Sequence, residues 1–121
     1  DGIVVKFIGD AGLIVYPADN ADPAVCNLKE LKDNGDNWLS SHGADCQQII
    51  KAHIGPAMCG YVGTKRTKRF DVFGNTVTKA ALVQSDGFAV TPQLFQKLTA
   101  KTQTMFKEHK STITFRPAEK N

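Results

Sequence analysis

Fourteen residues, VVKFIGDAGLIVYP, constrain the fold of this chain more than any others, because two apolar runs rich in β-branched side chains meet at Gly-Asp-Ala-Gly. A chain that reverses within four residues between two such runs forms an antiparallel hairpin, and the glycines tolerate the turn geometry. The pattern places strands at residues 3–8 and 13–16 with Asp10 at the tip. Two charges interrupt this apolar unit, Lys6 in the first run and Asp10 in the turn. A turn aspartate that bonds nearby amides and a lysine that snorkels to water would account for both. A ligand site is the alternative reading, and the residues alone favour the local one.

The remaining chain reads as alternating helices and strands. PAVCNLKELKDNGDNWLS suits a helix, with Asp22 as its cap, Pro23 in its first turn, and Val25, Leu28, Leu31 and Trp38 on one face. Gly35 weakens its middle. QIIKAHIG, AMCGYVG and RFDVFG read as strands, residues 75–84 as a short helix, and GFAVT as a strand. PQLFQKLTAK reads as one helix opened by Thr91 and Pro92, STITF as a last strand, and RPAEKN as a loose tail. No repeat or linker divides this order, so residues 1–121 are expected to form a single α+β domain with an antiparallel-leaning sheet, and a ferredoxin-like sandwich is the natural candidate.

Composition narrows the function classes. At 121 residues, 41% hydrophobic and 22% charged, the chain can bury one core and is not disordered. No apolar run approaches the roughly 18 residues needed to span a bilayer, and DGIVVKF lacks the layout of a secretory signal. A cytoplasmic segment without membrane contact is expected, with any anchor lying outside this sequence. Cys26, Cys46 and Cys59 are odd in number and form no CxxC pair, which disfavours a disulfide framework or zinc site; apolar neighbours such as Val25 and Met58 suggest free, partly buried thiols. His42, His53 and His109 make no HxxxH or HExxH pattern. The net charge of +3 specifies no polyanion. Its one dense basic run, TKRTKR at 64–69, has no interleaved aromatic before Phe70, so it reads as a solvated hairpin tip more readily than as a nucleic-acid interface.

VVKFIGDAGLIVYP followed, one helix and one strand later, by HIGPAMCGYVGTKRTKRFDVFGNTVTKAALVQS and then GFAVTPQLFQKL resembles the catalytic domain of the class III nucleotide cyclases, the adenylyl and guanylyl cyclases. The resemblance covers most of residues 3–98. It implies a ferredoxin-like βαββαβ sandwich that works as a head-to-tail dimer with a second cyclase domain, identical or different, and holds ATP or GTP between the two chains. The ribose 3′-hydroxyl then attacks the α-phosphate and pyrophosphate leaves. The resemblance further implies Mg²⁺ or Mn²⁺, and puts Asp10 where the family has the second of two metal-binding aspartates. Lys6 falls on a purine-reading lysine, and Asp71 on the aspartate that shares this task. An ammonium donates to adenine N1 and a carboxylate accepts from its exocyclic amine, whereas guanine presents the opposite pattern, so Lys6 and Asp71 favour ATP.

Three departures accompany the resemblance. Thr78 and Leu82 stand where family enzymes have a ribose-orienting asparagine and a transition-state arginine, and Leu82 carries no charge. The family's first metal aspartate lies on a strand ahead of the region matched here, followed by two helices, so the chain is expected to be the C-terminal portion of a full domain, with unpaired strand edges and exposed apolar surface. FKEHKSTITF does not align well enough to choose a phosphate-binding lysine between Lys107, Lys110 and others. Two readings follow: an adenylyl cyclase that makes cyclic AMP and pyrophosphate, or a catalytically degenerate module that serves in dimerisation, nucleotide binding or regulation. A third treats the basic hairpin as a surface for an anionic partner.

Overall fold

The computed structural model describes residues 2–109 and 114–118. The opening hairpin forms as expected: β1 (Ile3–Ile8) pairs antiparallel with β2 (Ala11–Val15) around a turn at Gly9 and Asp10. Gly9 adopts a φ of 62°, a backbone conformation that side-chain-bearing residues avoid. A register shift between Val4 and Lys6 bulges β1 and alters its local twist.

After a 3-10 turn at Ala18–Asn20 the chain enters α1 (Ala21–Ser41), two residues earlier than the periodicity suggested. Asp22 does not cap it. Its carboxylate instead accepts hydrogen bonds from the backbone N–H of Thr99 at 2.9 Å and from that residue's hydroxyl at 3.0 Å. Ala21, Ala24 and Val25 are buried and Leu28 packs against the core, but Leu31 and Trp38 are exposed. The buried position near Leu31 is held by Lys32, whose ammonium is paired with Asp36 one turn on. Trp38 lies against His42 at the helix end, with ring centroids 4.1 Å apart. A side chain at Gly35 would meet the terminal amide of Gln48, which would have to move aside.

The next strands are β3 (Ile50–Ala52), β4 (Met58–Gly63) and β5 (Lys68–Phe73), followed by α2 (Asn75–Leu82) and β6 (Phe88–Val90). Thr91 caps α3 (Pro92–Phe95) by accepting from the N–H of Leu94. The single helix expected here is broken, because Thr99 is extended and its N–H is held by Asp22; α4 (Ala100–Gln103) begins beyond it. The unanticipated β7 (Phe106–His109) pairs with β8 (Thr114–Pro117), which extends past the expected last strand; residues 111–113 of that strand and 119–121 of the tail lie outside the described residues, as does Lys110.

The strands make three sheets where one was expected. A mixed four-stranded sheet has the order β3-β6-β8-β7, with β3 parallel to β6 and the other neighbours antiparallel. The β1-β2 and β4-β5 pairs stand as separate antiparallel hairpins. The core lies between the four-stranded sheet, α1 and α3: Val25, Phe88, Val90, Leu94, Leu98 and Phe106 are buried together, and Leu28, Ile50, Phe95 and Phe115 pack against them. Phe88 meets Phe106 edge-on at 5.7 Å. Burying each large apolar side chain contributes about 1.5–3 kcal/mol, so this cluster stabilises the domain. The hairpins share little of it. Ile3, Val4, Phe7 and Ile8 on β1 and Met58, Tyr61 and Val62 on β4 are exposed, in line with the expected unpaired apolar surface.

Cys26, Cys46 and Cys59 are free, but all three are exposed, which corrects the expectation of partial burial. Cys26 follows the buried Val25, and one residue along a helix turns the side chain about 100° away from the core.

Candidate functional site

β1 and β5 bring together two residues that lie 65 positions apart. The Lys6 ammonium is 3.0 Å from Oδ1 and 3.2 Å from Oδ2 of Asp71, so it bridges both carboxylate oxygens. Asp71 Oδ1 also accepts the N–H of Val72 at 2.8 Å. The hydrogen bond from Lys6 and the one from Val72, with the charges of Lys6 and Arg69, hold the Asp71 carboxyl below its usual range against the opposing effect of burial. The pair remains reachable, with side-chain exposures of 27% for Lys6 and 20% for Asp71.

The register of β4 and β5 shows what surrounds it. Directly opposite residues share a face, and so do residues two apart. Gly60 is opposite Asp71, Met58 opposite Phe73, and Val62 opposite Arg69, so these six residues form one face. Nothing stands within 4 Å of where a side chain on Gly60 would project. Met58, Val62 and Phe73 are exposed around that gap. An apolar surface with an open space beside a paired donor and acceptor is suited to a flat heteroaromatic ring with a polar edge. Gly60 was not singled out in the sequence; a glycine within a strand is the signal that marks close approach by another group.

Asp10 is at the exposed tip of the first hairpin, as expected, and its carboxylate has no partner among the described residues. No three His, Cys, Asp or Glu side chains of the described residues converge to hold a metal ion. Mg²⁺ commonly takes only one or two carboxylates and completes its shell with water and substrate phosphates, so Asp10 fits such an ion, or Mn²⁺, as a single ligand.

Thr78 and Leu82 lie one turn apart on the exposed face of α2, and Leu82 is 74% exposed. The Thr78 hydroxyl is 3.5 Å from the carbonyl of Gly74. Thr76, on the packed side, donates to the carbonyl of Pro56 and ties α2 to the segment after β3. Lys79, also exposed, helps to depress the pKa of His53, for which burial is the larger cause. His53 Nδ1 is 2.7 Å from the Thr91 hydroxyl.

The basic run spans the tip between β4 and β5 and the first two residues of β5, and a hydrogen bond from the Thr67 N–H to the Thr64 hydroxyl at 3.2 Å shapes the tip. Lys65, Arg66, Lys68 and Arg69 are exposed. Tyr61 and Phe70 meet edge-on across the strands at 5.7 Å, an aromatic contact near the tip that is evident only once the strands are paired. A polar cleft lined by Asp36, Asn37, Ser40, Asp45, Cys46 and Gln47 contains none of these site residues.

Residues 4–119 match the model of the adenylate and guanylate cyclase catalytic domain. An uncharacterized protein of Mycobacterium bovis and uncharacterized proteins of two Mycobacterium tuberculosis strains are each 33% identical to this chain over 85 residues, a match covering 66% of the chain and 14% of each relative. The chain therefore matches only a small part of these longer relatives. Among the described residues, no helix is long and apolar enough to cross a membrane.

Proposed function

The chain belongs to the adenylate and guanylate cyclase catalytic domain family, and from that premise we propose that it is an adenylyl cyclase-type domain that binds ATP and, with a second cyclase domain, converts it to cyclic AMP and pyrophosphate in the cytoplasm. The observation that carries the choice of ATP is the Lys6–Asp71 pair beside the gap at Gly60. Adenine places a ring-nitrogen acceptor next to an amino donor. An adjacent ammonium and carboxylate match that edge without having to separate, while guanine would set donor against donor and acceptor against acceptor. Met58, Val62 and Phe73 would contact the base around Gly60.

In this reaction the 3′-oxygen forms a bond to the α-phosphorus and loses its proton to solvent or a base, while the bond from the α-phosphorus to the bridging oxygen breaks and pyrophosphate carries away the electron pair. A divalent cation, when bound, neutralises the triphosphate and favours the attacking hydroxyl as an alkoxide. Asp10 would hold that cation. Lys6 and Asp71 would orient the nucleoside, which aligns the ribose with the phosphate. Thr78 offers one hydroxyl to the ribose, and Leu82 leaves the developing phosphoryl charge without a cation from its position. The exposed apolar strands of the two hairpins suit a larger ferredoxin-like sandwich and a paired domain.

The test is cyclic AMP formation from ATP and Mn²⁺, read by mass spectrometry, in the protein of native length and in its Asp10→Ala variant. Product that the substitution reduces by about 10²-fold or more supports catalysis with Asp10 as a metal ligand. A folded, dimeric protein that binds ATP without turnover supports the second reading, a degenerate module in regulation or dimerisation, which the neutral Leu82 favours.

A further inference from the structure

The tip between β4 and β5, with the first two residues of β5, gathers charge that the rest of the chain does not share. The chain holds 15 Lys and Arg against 12 Asp and Glu, so without Lys65, Arg66, Lys68 and Arg69 it would be slightly acidic. Residues 46–70 contain no Asp or Glu. The first acid beyond them, Asp71, is already engaged by Lys6. All four cations are exposed, and none closes an ion pair or donates a side-chain hydrogen bond among the described residues. Like charges this close repel one another, and an anionic partner relieves that repulsion.

The hairpin's register narrows the kind of anion. Tyr61 stands opposite Phe70 and Gly63 opposite Lys68, so Tyr61, Lys68 and Phe70 share the face turned away from Gly60 and Asp71. Tyr61 is 73% exposed there, while Phe70 is half-buried. A nucleic-acid strand is tracked by a groove with successive stacking rings, and this pair offers one exposed ring beside a convex apex. A plane, by contrast, reaches every cation of an apex at once. Anionic headgroups form such a plane, and a tyrosine suits its boundary because one end of the side chain is apolar and the other wet.

We propose that the β4–β5 tip docks this domain peripherally on a bilayer of anionic phospholipid, through Lys65, Arg66, Lys68 and Arg69 with Tyr61 at the interface. Docking of this kind needs no long apolar run, so the sequence that excludes a span does not exclude it, and the expectation of a segment without membrane contact is revised to one without a span. The face that carries Gly60 and Asp71 stays clear of the lipid.

Hydrogen exchange of the amides of residues 63–68, read by mass spectrometry on the protein of native length, tests the contact with two kinds of vesicle: phosphatidylcholine alone, and phosphatidylcholine with phosphatidylserine. Phosphatidylserine should slow exchange at the tip, and salt should reverse the effect, because the screening length falls to about 3 Å at 1 M. Each cation near an anionic surface is worth about fivefold in affinity, so Lys65→Gln, Arg66→Gln and Lys68→Gln together should raise the lipid concentration for half-protection by about 10²-fold. Arg69 is kept because its charge also acts on Asp71. The thermal midpoint, expected to be unchanged by substitutions at three exposed positions, verifies that the variant is folded. An unprotected tip with phosphatidylserine, equal protection by the two vesicles, or an unchanged half-protection point in the folded triple variant overturns the assignment. So does a single-stranded oligonucleotide that protects the same amides at a lower phosphate concentration than the vesicles, which would assign the tip to nucleic acid.

Discussion

Lys6 and Asp71 close a bidentate ion pair at 3.0 and 3.2 Å between the first hairpin and the second. This pair sets the expected base preference. Lys6→Glu should lower the ratio of ATP to GTP affinity by about tenfold or more, because an acceptor replaces the donor to adenine N1 and faces the N–H of guanine instead. Competition between the two nucleotides for the protein measures the ratio; an unchanged ratio removes Lys6 from base recognition.

The same pair fixes a pH dependence. Asp71 is held below its ordinary carboxyl value chiefly by the hydrogen bond from Lys6. A depressed carboxyl pKa contributes stability that is present above the unfolded value and is lost as pH falls through the folded value. Titration of Asp71 should therefore leave stability and the affinity for adenosine unchanged at neutral pH and weaken both only as pH falls below 3.8, whereas Asp71→Asn should weaken adenosine binding at neutral pH. NMR titration of the Asp71 carboxyl checks the direction of the shift.

Thr78→Asn with Leu82→Arg restores the residue types that family enzymes carry. Leu82 is 74% exposed, so the change should alter stability by no more than about 0.5 kcal/mol. A charged donor at the developing oxyanion is commonly worth about 10²-fold in rate, and cyclic AMP formation should rise accordingly. A stable double variant with unchanged turnover would show that the arginine position is no longer directed at the phosphate.

Thr91 and His53 make a second pH-sensitive contact. The hydroxyl of Thr91 is buried, caps α3 and touches His53 Nδ1. Thr91→Ala should destabilise the domain by about 1–2 kcal/mol in urea unfolding. His53 is depressed from its ordinary value of 6.5, first by burial and then by Lys79, so the unfolded chain takes up a proton at higher pH than the native one. Stability from this residue is thus full above pH 6.5 and declines as pH falls below it. His53→Gln should flatten that part of the stability profile.

Phe7 is 74% exposed on a two-stranded sheet, a position that gains little from the chain's own core. Phe7→Asp should leave the monomer's unfolding within about 0.5 kcal/mol and shift a dimer toward monomer. Sedimentation velocity over a concentration series reads the effect, and an unaltered dimer would place the interface away from β1.

The sequence by itself determined the two hairpins, the central position of Asp10 in the first turn, the helix after Pro23 and the cap at Thr91, because glycine turns, alternation and capping residues act over a few positions and need no distant partner. The register-matched motifs also determined the family. Tertiary structure decided the rest through contacts between distant residues. Asp22, expected as a local cap, lies inside the first turn of α1 and instead accepts the N–H of Thr99, which precedes α4. Lys32, not Leu31, turns toward the interior because Asp36 neutralises it there. The gap at Gly60 and the Lys6–Asp71 pair exist only after β1, β4 and β5 are brought together. Local propensity specifies elements, but which polar groups meet is set by packing, since each buried or half-buried charge must find its partner wherever the fold supplies one.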